Sequence, residues 1–144
     1  MARELGFKGR FIKIGGPGPR EIAASAGPAA EGVINYVVAN PLNEAYKKLA
    51  DEYKAASGHD MNEIAVSFFD ATRILFAAIQ KAGTVTDADK VRQAIPQVFP
   101  FKSVMGEDIT IAGKETYGSN TQIMTTSYVA EIKNGQPVVL GIAR

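Results

Sequence analysis

The residues best placed to contact a ligand are Gly15, Gly16 and Pro17, which begin a loop rich in glycine and proline (GGPGP, residues 15–19). The loop directly follows residues 11–14 (FIKI), an apolar, β-branched run that predicts a buried strand. In open α/β sheets, ligands bind at the carboxyl ends of the strands. We therefore expect this loop to lie near the ligand of the protein.

A loop of this composition superficially suggests phosphate binding. Its sequence matches neither G-x-x-x-x-G-K-[ST] nor G-x-G-x-x-G, and its two prolines lack the backbone N–H groups that hold a phosphate. Two interpretations stay open. The loop is either a stiff turn between a strand and a helix or a rigid wall beside a small-molecule cleft.

Residue types that carry catalysis are scarce. The sequence contains one histidine, His59, and no cysteine, so the ligands of an ordinary zinc site are missing. Ser25 and Ser67 lack the flanking glycines of a nucleophile elbow. We therefore expect a protein that is not an enzyme and that holds neither a metal nor a cofactor.

A second candidate group lies in residues 61–83, a long apolar segment. Phe68 and Phe69 fit either core packing or ligand contact, because buried aromatic side chains serve both. Asp70 is a carboxylate within the apolar part of this segment, so we expect it to cap the helix end or to pair with a cation. Arg73, close at the next turn, is the nearest candidate.

The composition limits the classes of protein and partner. With 144 residues, of which 46% are hydrophobic, the chain is long enough for one domain with a core. A formal charge of +1 and the lack of a basic stripe argue against a nucleic-acid partner. No run of about 18 apolar residues is present and the first ten residues are polar, so we expect neither a membrane anchor nor a signal peptide in this sequence.

The remaining apolar patterns predict alternating strands and helices in the first two thirds of the chain. Residues 32–38 read as a strand that is buried on both faces and therefore parallel. A helix follows, with Asn40 as its cap, Pro41 as its first residue and Gly58 as its left-handed end. The next helix, over residues 61–83, is apolar on most faces and should pack centrally.

The pattern changes after a short helix, which begins with a capping box at residues 86–89 and is stopped by Pro96. Three strands are predicted beyond it, over residues 108–112, 122–133 and 137–142. Asn134-Gly135 joins the last two and is a strong hairpin signal. The order of elements indicates an α/β fold.

Five segments in this order resemble the carboxy-terminal part of a type I periplasmic substrate-binding protein. The resemblance is greatest to the branched-chain amino acid (leucine/isoleucine/valine-binding) type of ABC transporters and runs through nearly all of the chain. The segments are AEGV (residues 30–33) before a strand, the amphipathic helix ending at Gly58, the long helix from FDA (69–71) to KAG (81–83), GEDITI (106–111) and EIKNG (131–135).

This resemblance implies Rossmann-like (flavodoxin-like) lobes, of which the chain holds an incomplete set. Residues 1–40 are then part of the second lobe and residues 41–101 part of the first. Residues 102–144 contain the strands that cross the hinge and end the second lobe. The helices of residues 41–95 should lack part of their sheet and expose apolar surface, so we expect self-association, domain swapping or a complementing chain.

The resemblance also locates a ligand site. In the leucine/isoleucine/valine binders, an acidic residue that holds the ligand's ammonium group falls at the position of Gly16 or Pro17, neither of which can replace it. Arg20, a few residues later, suggests that an anionic or aromatic acid is accommodated instead. The family's apolar wall falls at Ile64, with Phe68 or Phe69 nearby.

The resemblance implies a non-enzymatic, periplasmic solute-binding component of an ABC uptake transporter. Such a protein closes around a small amino acid or a carboxylic or aromatic acid, and membrane permease subunits recognise the closed form. The alternative is a ligand-sensing receptor or regulator domain of the same fold. An enzyme on a flavodoxin-like fold ranks third.

Overall fold

The computed structural model describes residues 2–143, which divide into two compact units. The sheet unit comprises Met1–Asn40 and Ser127–Arg144, and the helical unit comprises Pro41–Thr126. Residues 102–126 thus group with the helical unit. The assignment of each unit to a lobe stays a prediction.

The chain combines strands and helices, which confirms the predicted mixture of α and β elements. The strands are β1 (Ile12–Lys13), β2 (Ile34–Val37), β3 (Thr110–Ala112), β4 (Gln122–Met124), β5 (Ser127–Lys133) and β6 (Gln136–Ala143). The helices are α1 (Pro19–Ala26), α2 (Glu44–Ser57), α3 (Glu63–Ala82), α4 (Ala88–Ala94) and α5 (Lys114–Tyr117), with 3-10 turns at Gly27–Ala30 and Ile95–Val98.

The sheet unit is built on four strands in the order β1-β2-β5-β6. β1 and β2 are parallel, whereas β5 pairs antiparallel with both β2 and β6. β2 is thus parallel to one neighbour, as predicted, and antiparallel to the other, and the expectation that it is buried on both faces is wrong. Its side chains alternate between a buried face, which carries Val37, and a more exposed face, which carries Tyr36. The core on the covered side joins Ala30, Val33 and Ile132 to Ile22 and Ala23 of α1.

β1 differs from the predicted strand in length and in burial. It contains two residues, and the side chains of Ile12 and Ile14 are 70% and 83% exposed. The prediction of a buried strand over residues 11–14 is wrong because β1 lies at the edge of the sheet. Ile12 is paired with Ile34, on the face of the sheet opposite the core of α1.

The predicted hairpin is confirmed. Asn134 and Gly135 both have positive φ angles, 51° and 73°, and connect the pair Lys133 and Gln136. The backbone N–H of Asn134 donates to the Glu31 carboxylate at 2.9 Å, which ties the turn to the segment before β2. The single strand predicted over residues 122–133 is wrong, since it breaks into β4 and β5, which belong to different sheets.

The cap of α2 lies three residues beyond the predicted cap. Asn43, not Asn40, is the cap, and its side-chain oxygen accepts from the backbone N–H of Tyr46 at 3.1 Å. The predicted left-handed end at Gly58 is confirmed, with a φ of 75°. No side chain within α2 is buried, because its amphipathic face lacks cover from the described part of the chain.

α3 runs from its cap at Asn62 to a left-handed end at Gly83. The expectation that it packs on most sides is wrong, because its buried residues follow one row at every fourth position. α4 and the 3-10 turn after it cover the carboxy-terminal part of this row. The row consists of Val66, Asp70, Ile74 and Ala78.

The hairpin turn provides a test of the fold. Replacing Gly135 by Ala places a Cβ at a φ of 73°, which costs about 1 kcal/mol of unfolding free energy although no atom lies within 4 Å of that Cβ. Gly141→Ala is the matched control, because this position is equally open and its φ is not in the left-handed region. Urea denaturation should show a lower midpoint for the first variant only. Equal midpoints would contradict the turn geometry.

Candidate ligand-binding site

The glycine loop is held in place by the side chain of Lys13. The Nζ atom of Lys13 donates to the carbonyl oxygens of Gly15 and Pro17, the latter at 2.5 Å. Gly15 and Gly16 adopt φ angles of 72° and 74°, which a side chain disfavours. The loop therefore directs backbone carbonyls toward an ammonium group. This arrangement is opposite to a phosphate cradle, which directs N–H groups toward an anion.

The loop passes directly into α1, whose N-cap residue is Gly18. The backbone N–H of Gly18 donates to the Glu21 carboxylate, and Pro19, the first helical residue, is buried. Arg20 is exposed and forms no hydrogen bond or ion pair with any residue between 2 and 143. An anionic group at this position would therefore meet the Arg20 cation beside a helix start that already holds the Glu21 carboxylate.

The candidate apolar wall lies on α3 in the helical unit. Ile64 and Phe68 occupy one face of the helix, four residues apart, and their side chains are 67% and 69% exposed. Phe69 is 40% exposed and its ring lies 5.6 Å from the Arg73 guanidinium. Ile64 and Phe68 are therefore surface-accessible, whereas Phe69 also takes part in a packed polar cluster.

That cluster is centred on the buried carboxylate of Asp70, whose side chain is 1% exposed. One oxygen accepts from Arg73 Nη1 at 2.7 Å, which confirms the predicted pairing. The other oxygen accepts from Ser103 Oγ at 2.6 Å and from the backbone N–H of Val104 at 3.1 Å. The carboxylate thus fixes α3 to the segment that precedes β3.

Arg73 strengthens the same connection. Its Nη1 atom also donates to the carbonyl oxygen of Lys102 at 3.1 Å, and its guanidinium lies 5.0 Å from the Phe101 ring. A cation over an aromatic face is attracted by the ring quadrupole. Arg73 therefore connects Asp70 to Phe101 and Lys102, two contacts that the sequence did not predict.

Asn35 on β2 is a second buried polar residue that sequence reasoning missed. Its side chain is 2% exposed, and its Nδ2 donates to the carbonyl oxygen of Val33 at 3.2 Å. Its Oδ1 has no hydrogen-bond partner among the described residues. Asn35 is paired with Lys13 in the register of β1 and β2. The Oδ1 atom is therefore a free acceptor, among the described residues, in the strand pair that supports the loop.

The predicted site residues fall into two groups. Gly15, Gly16, Pro17 and Arg20 belong to the sheet unit, and Ile64, Phe68 and Phe69 belong to the helical unit. Their roles as ligand contacts stay predictions. Lys13 and Glu21 were missed. The role of Glu21 could have been predicted, because an acidic residue three positions after a helix cap often binds the backbone of the cap. The role of Lys13 could not, because its partners are backbone carbonyl groups.

No group of three or more His, Asp or Glu residues within residues 2–143 is arranged to hold a metal ion. Across the same residues, no helix combines the length and the apolar composition that crossing a membrane requires.

The Asp70 cluster generates a testable difference in stability. Asp70→Ala leaves Ser103 and the Val104 N–H without their acceptor and Arg73 without its carboxylate, so we expect a loss of about 3 kcal/mol of unfolding free energy in urea denaturation. Asp89→Ala is the control, because its ion pair with Arg92 is 3.4 Å long and the Asp89 side chain is 82% exposed. We expect that control to lose under about 1 kcal/mol. Equal losses would argue against the cluster.

The sequence matches both a known protein family and known individual proteins. The family described as periplasmic binding protein matches residues 1–137. A Leu/Ile/Val-binding protein homologue from Brucella suis biovar 1 is 32% identical over 109 residues, which cover 72% of this chain and 28% of that protein. The chain therefore spans under a third of the length of this relative.

Solved structures share the fold. A leucine-binding protein from Thermotoga maritima MSB8 is 26% identical with a TM-score of 0.80, and the match covers 98% of this chain and 39% of that protein. A solute-binding protein of an ABC transporter from R. palustris, in complex with benzoate, is 23% identical with a TM-score of 0.67, covering 84% and 32%. A branched-chain amino acid transporter substrate-binding protein from Streptococcus pneumoniae, in complex with isoleucine, is 14% identical with a TM-score of 0.79, covering 99% and 39%.

Proposed function

Because this chain belongs to the periplasmic binding protein family, we propose that it acts as part of a non-enzymatic solute-binding component of an ABC uptake transporter. The observation that carries this proposal is the family match over residues 1–137, and the likeness to a leucine-binding protein across 98% of the chain supports it. The chain spans only 39% of that protein. The ligand, the partner and the location of this chain are therefore separate proposals.

We propose that the ligand is a small carboxylic or aromatic acid. No carboxylate is present at Gly16 or Pro17, where one could hold the ammonium group of an amino acid. The carbonyl oxygens of Gly15 and Pro17 already accept hydrogen bonds from Lys13, so these oxygens cannot fully replace the missing carboxylate. A second ammonium beside this lysine would also be repelled by it.

Arg20 gives the same loop a positive group that is exposed and unpaired among the described residues. A guanidinium binds a carboxylate through two parallel hydrogen bonds, which fixes the orientation of the acid as well as its charge. The fold is compatible with such a ligand, since a solved structure of this fold was determined in complex with benzoate.

The mechanism we propose is closure of two lobes around the ligand, with the closed form docking on membrane permease subunits in the periplasm. The sheet unit corresponds to the second lobe, which contributes Gly15, Gly16, Pro17 and Arg20. The helical unit corresponds to the first lobe, where Ile64, with Phe68 or Phe69, would form the apolar wall. An aromatic acid suits both surfaces, because it presents a carboxylate at one end and an apolar ring at the other.

We also propose that this chain associates with a further polypeptide. Leu42, Ile64, Phe68 and Phe76 are 68%, 67%, 69% and 61% exposed in the helical unit. Three of these side chains, Ile64, Phe68 and Phe76, lie along one side of α3, and an apolar surface of this kind marks an interaction site.

Ligand class can be tested by measuring the melting temperature of the chain with benzoate, leucine or valine. We expect benzoate to raise the melting temperature, because binding to the folded state stabilises it. Arg20→Gln should weaken benzoate binding about tenfold, which corresponds to about 1.4 kcal/mol for one charged hydrogen-bonding group. Arg10→Gln, which removes an exposed cation outside the loop, is the matched control.

Each result decides the proposal. Stabilisation by leucine or valine alone would show that the ligand is an amino acid. Stabilisation by none of the three would show that this chain does not hold a working site. An equal loss in both arginine variants would show that the positive charge acts generally and not through Arg20.

A further inference from the structure

The ammonium group of Lys13 carries a positive charge that no carboxylate of the described residues balances. Lys13 is half-buried, and both groups that accept hydrogen bonds from its Nζ atom, the carbonyl oxygens of Gly15 and Pro17, are neutral. Within residues 2–143, no Asp or Glu side chain forms an ion pair with Lys13. A partly desolvated charge without a counter-ion is stabilised by an anion beside it.

The Nζ atom also keeps one hydrogen-bond donor for such an anion. A lysine ammonium has three N–H donors, and the carbonyl oxygens of Gly15 and Pro17 use two of them. These two bonds fix the position of the Nζ atom. Because a donor that is fixed before binding loses less entropy when a ligand accepts from it, the third N–H is suited to ligand contact.

The glycine at position 16 leaves this ammonium uncovered on the side of the loop. A Cβ atom added to Gly16 would lie 3.6 Å from the Nζ atom of Lys13 and 3.7 Å from its Cε atom. Any larger residue would therefore place its side chain against the end of the lysine. With glycine there, the Lys13 ammonium stays accessible beside the loop.

The charges around the loop favour an anion as well. No acidic residue occurs in residues 5–20, whose ionisable side chains are Lys8, Arg10, Lys13 and Arg20. The next carboxylate, that of Glu21, already accepts from the backbone N–H of Gly18. The loop thus lies between two cations in the sequence, Lys13 before it and Arg20 after it. One carboxylate can accept from both, since it has two oxygens.

We propose that Lys13 is a ligand contact that makes the glycine loop selective for anions. Its third N–H donates to the carboxylate of the ligand, and Arg20 binds the same group. The Lys13 ammonium also takes the two carbonyl oxygens that a ligand ammonium would need, so amines are excluded by the same side chain. This inference rests on the proposed function and adds to it a residue that determines specificity.

The contribution of Lys13 can be measured by titrating the chain with benzoate in a calorimeter. Lys13→Met keeps the unbranched side chain and removes the charge, so the dissociation constant of benzoate should rise about tenfold, as for the loss of one charged hydrogen bond. Lys8→Met is the matched control, because Lys8 is exposed and lies outside the loop. Its effect should stay within about twofold, since exposed charges are screened by salt.

A second ligand distinguishes contact from support of the loop, because Lys13 also holds the loop in place. Benzamide has the same ring as benzoate and no charge. A distorted loop would weaken both ligands, whereas loss of a contact to the carboxylate weakens benzoate. The preference for benzoate over benzamide should therefore fall about tenfold in Lys13→Met. Lys13→Arg, which keeps a cation, should retain benzoate binding within about threefold.

The outcomes separate the role of Lys13 from the proposed function. If the wild-type chain binds benzoate and Lys13→Met does not weaken it, or weakens benzamide equally, the contact is overturned and the proposed function stands. If benzamide binds too weakly to measure, a loss of benzoate binding in Lys13→Arg as large as in Lys13→Met would overturn the contact. A wild-type chain that does not bind benzoate would overturn both proposals.

Discussion

In both units a central element buries only one of its faces, and the stability of each unit depends on that face. On α3, Val66 and Ile74 are buried while Phe68, on the opposite side, is 69% exposed. On β2, Val37 is buried and Tyr36 is 40% exposed. Apolar surface stabilises a fold by about 25 cal/mol for each Å² removed from water. The exposed faces contribute little of this, so the stability of each unit rests on the face that its own elements cover.

Polar contacts between distant positions gain importance where the apolar core is thin. The Asp70 carboxylate connects α3 to Ser103 and Val104, and its cation Arg73 keeps part of its side chain in water. Partial exposure of the cation lowers the desolvation cost of the pair. In the sheet unit, Lys13 likewise fixes a loop that has few side chains with which to pack. A loop fixed before binding loses less entropy when a ligand arrives.

The sequence by itself determined the family, the mixed α/β class and those features that depend on neighbouring residues. The left-handed helix end at Gly58 and the hairpin at Asn134-Gly135 follow from backbone preferences of single residues. The pairing of Asp70 with Arg73 follows from helical spacing. In each of these cases the partners lie within four residues of one another, so their contact does not depend on how distant segments are arranged.

The tertiary structure alone decided which surfaces are covered and which distant groups meet. Apolar periodicity shows that α3 has apolar faces, but burial requires a partner element, and only one row of the helix receives one. The same reason explains why Ile12 is exposed at the edge of the sheet. Ser103 reaches Asp70 across 33 residues, so this contact depends on the path of the chain between the partners. Lys13 binds carbonyl groups of its own neighbourhood, but every residue possesses a carbonyl group, so no residue type marks this contact in the sequence.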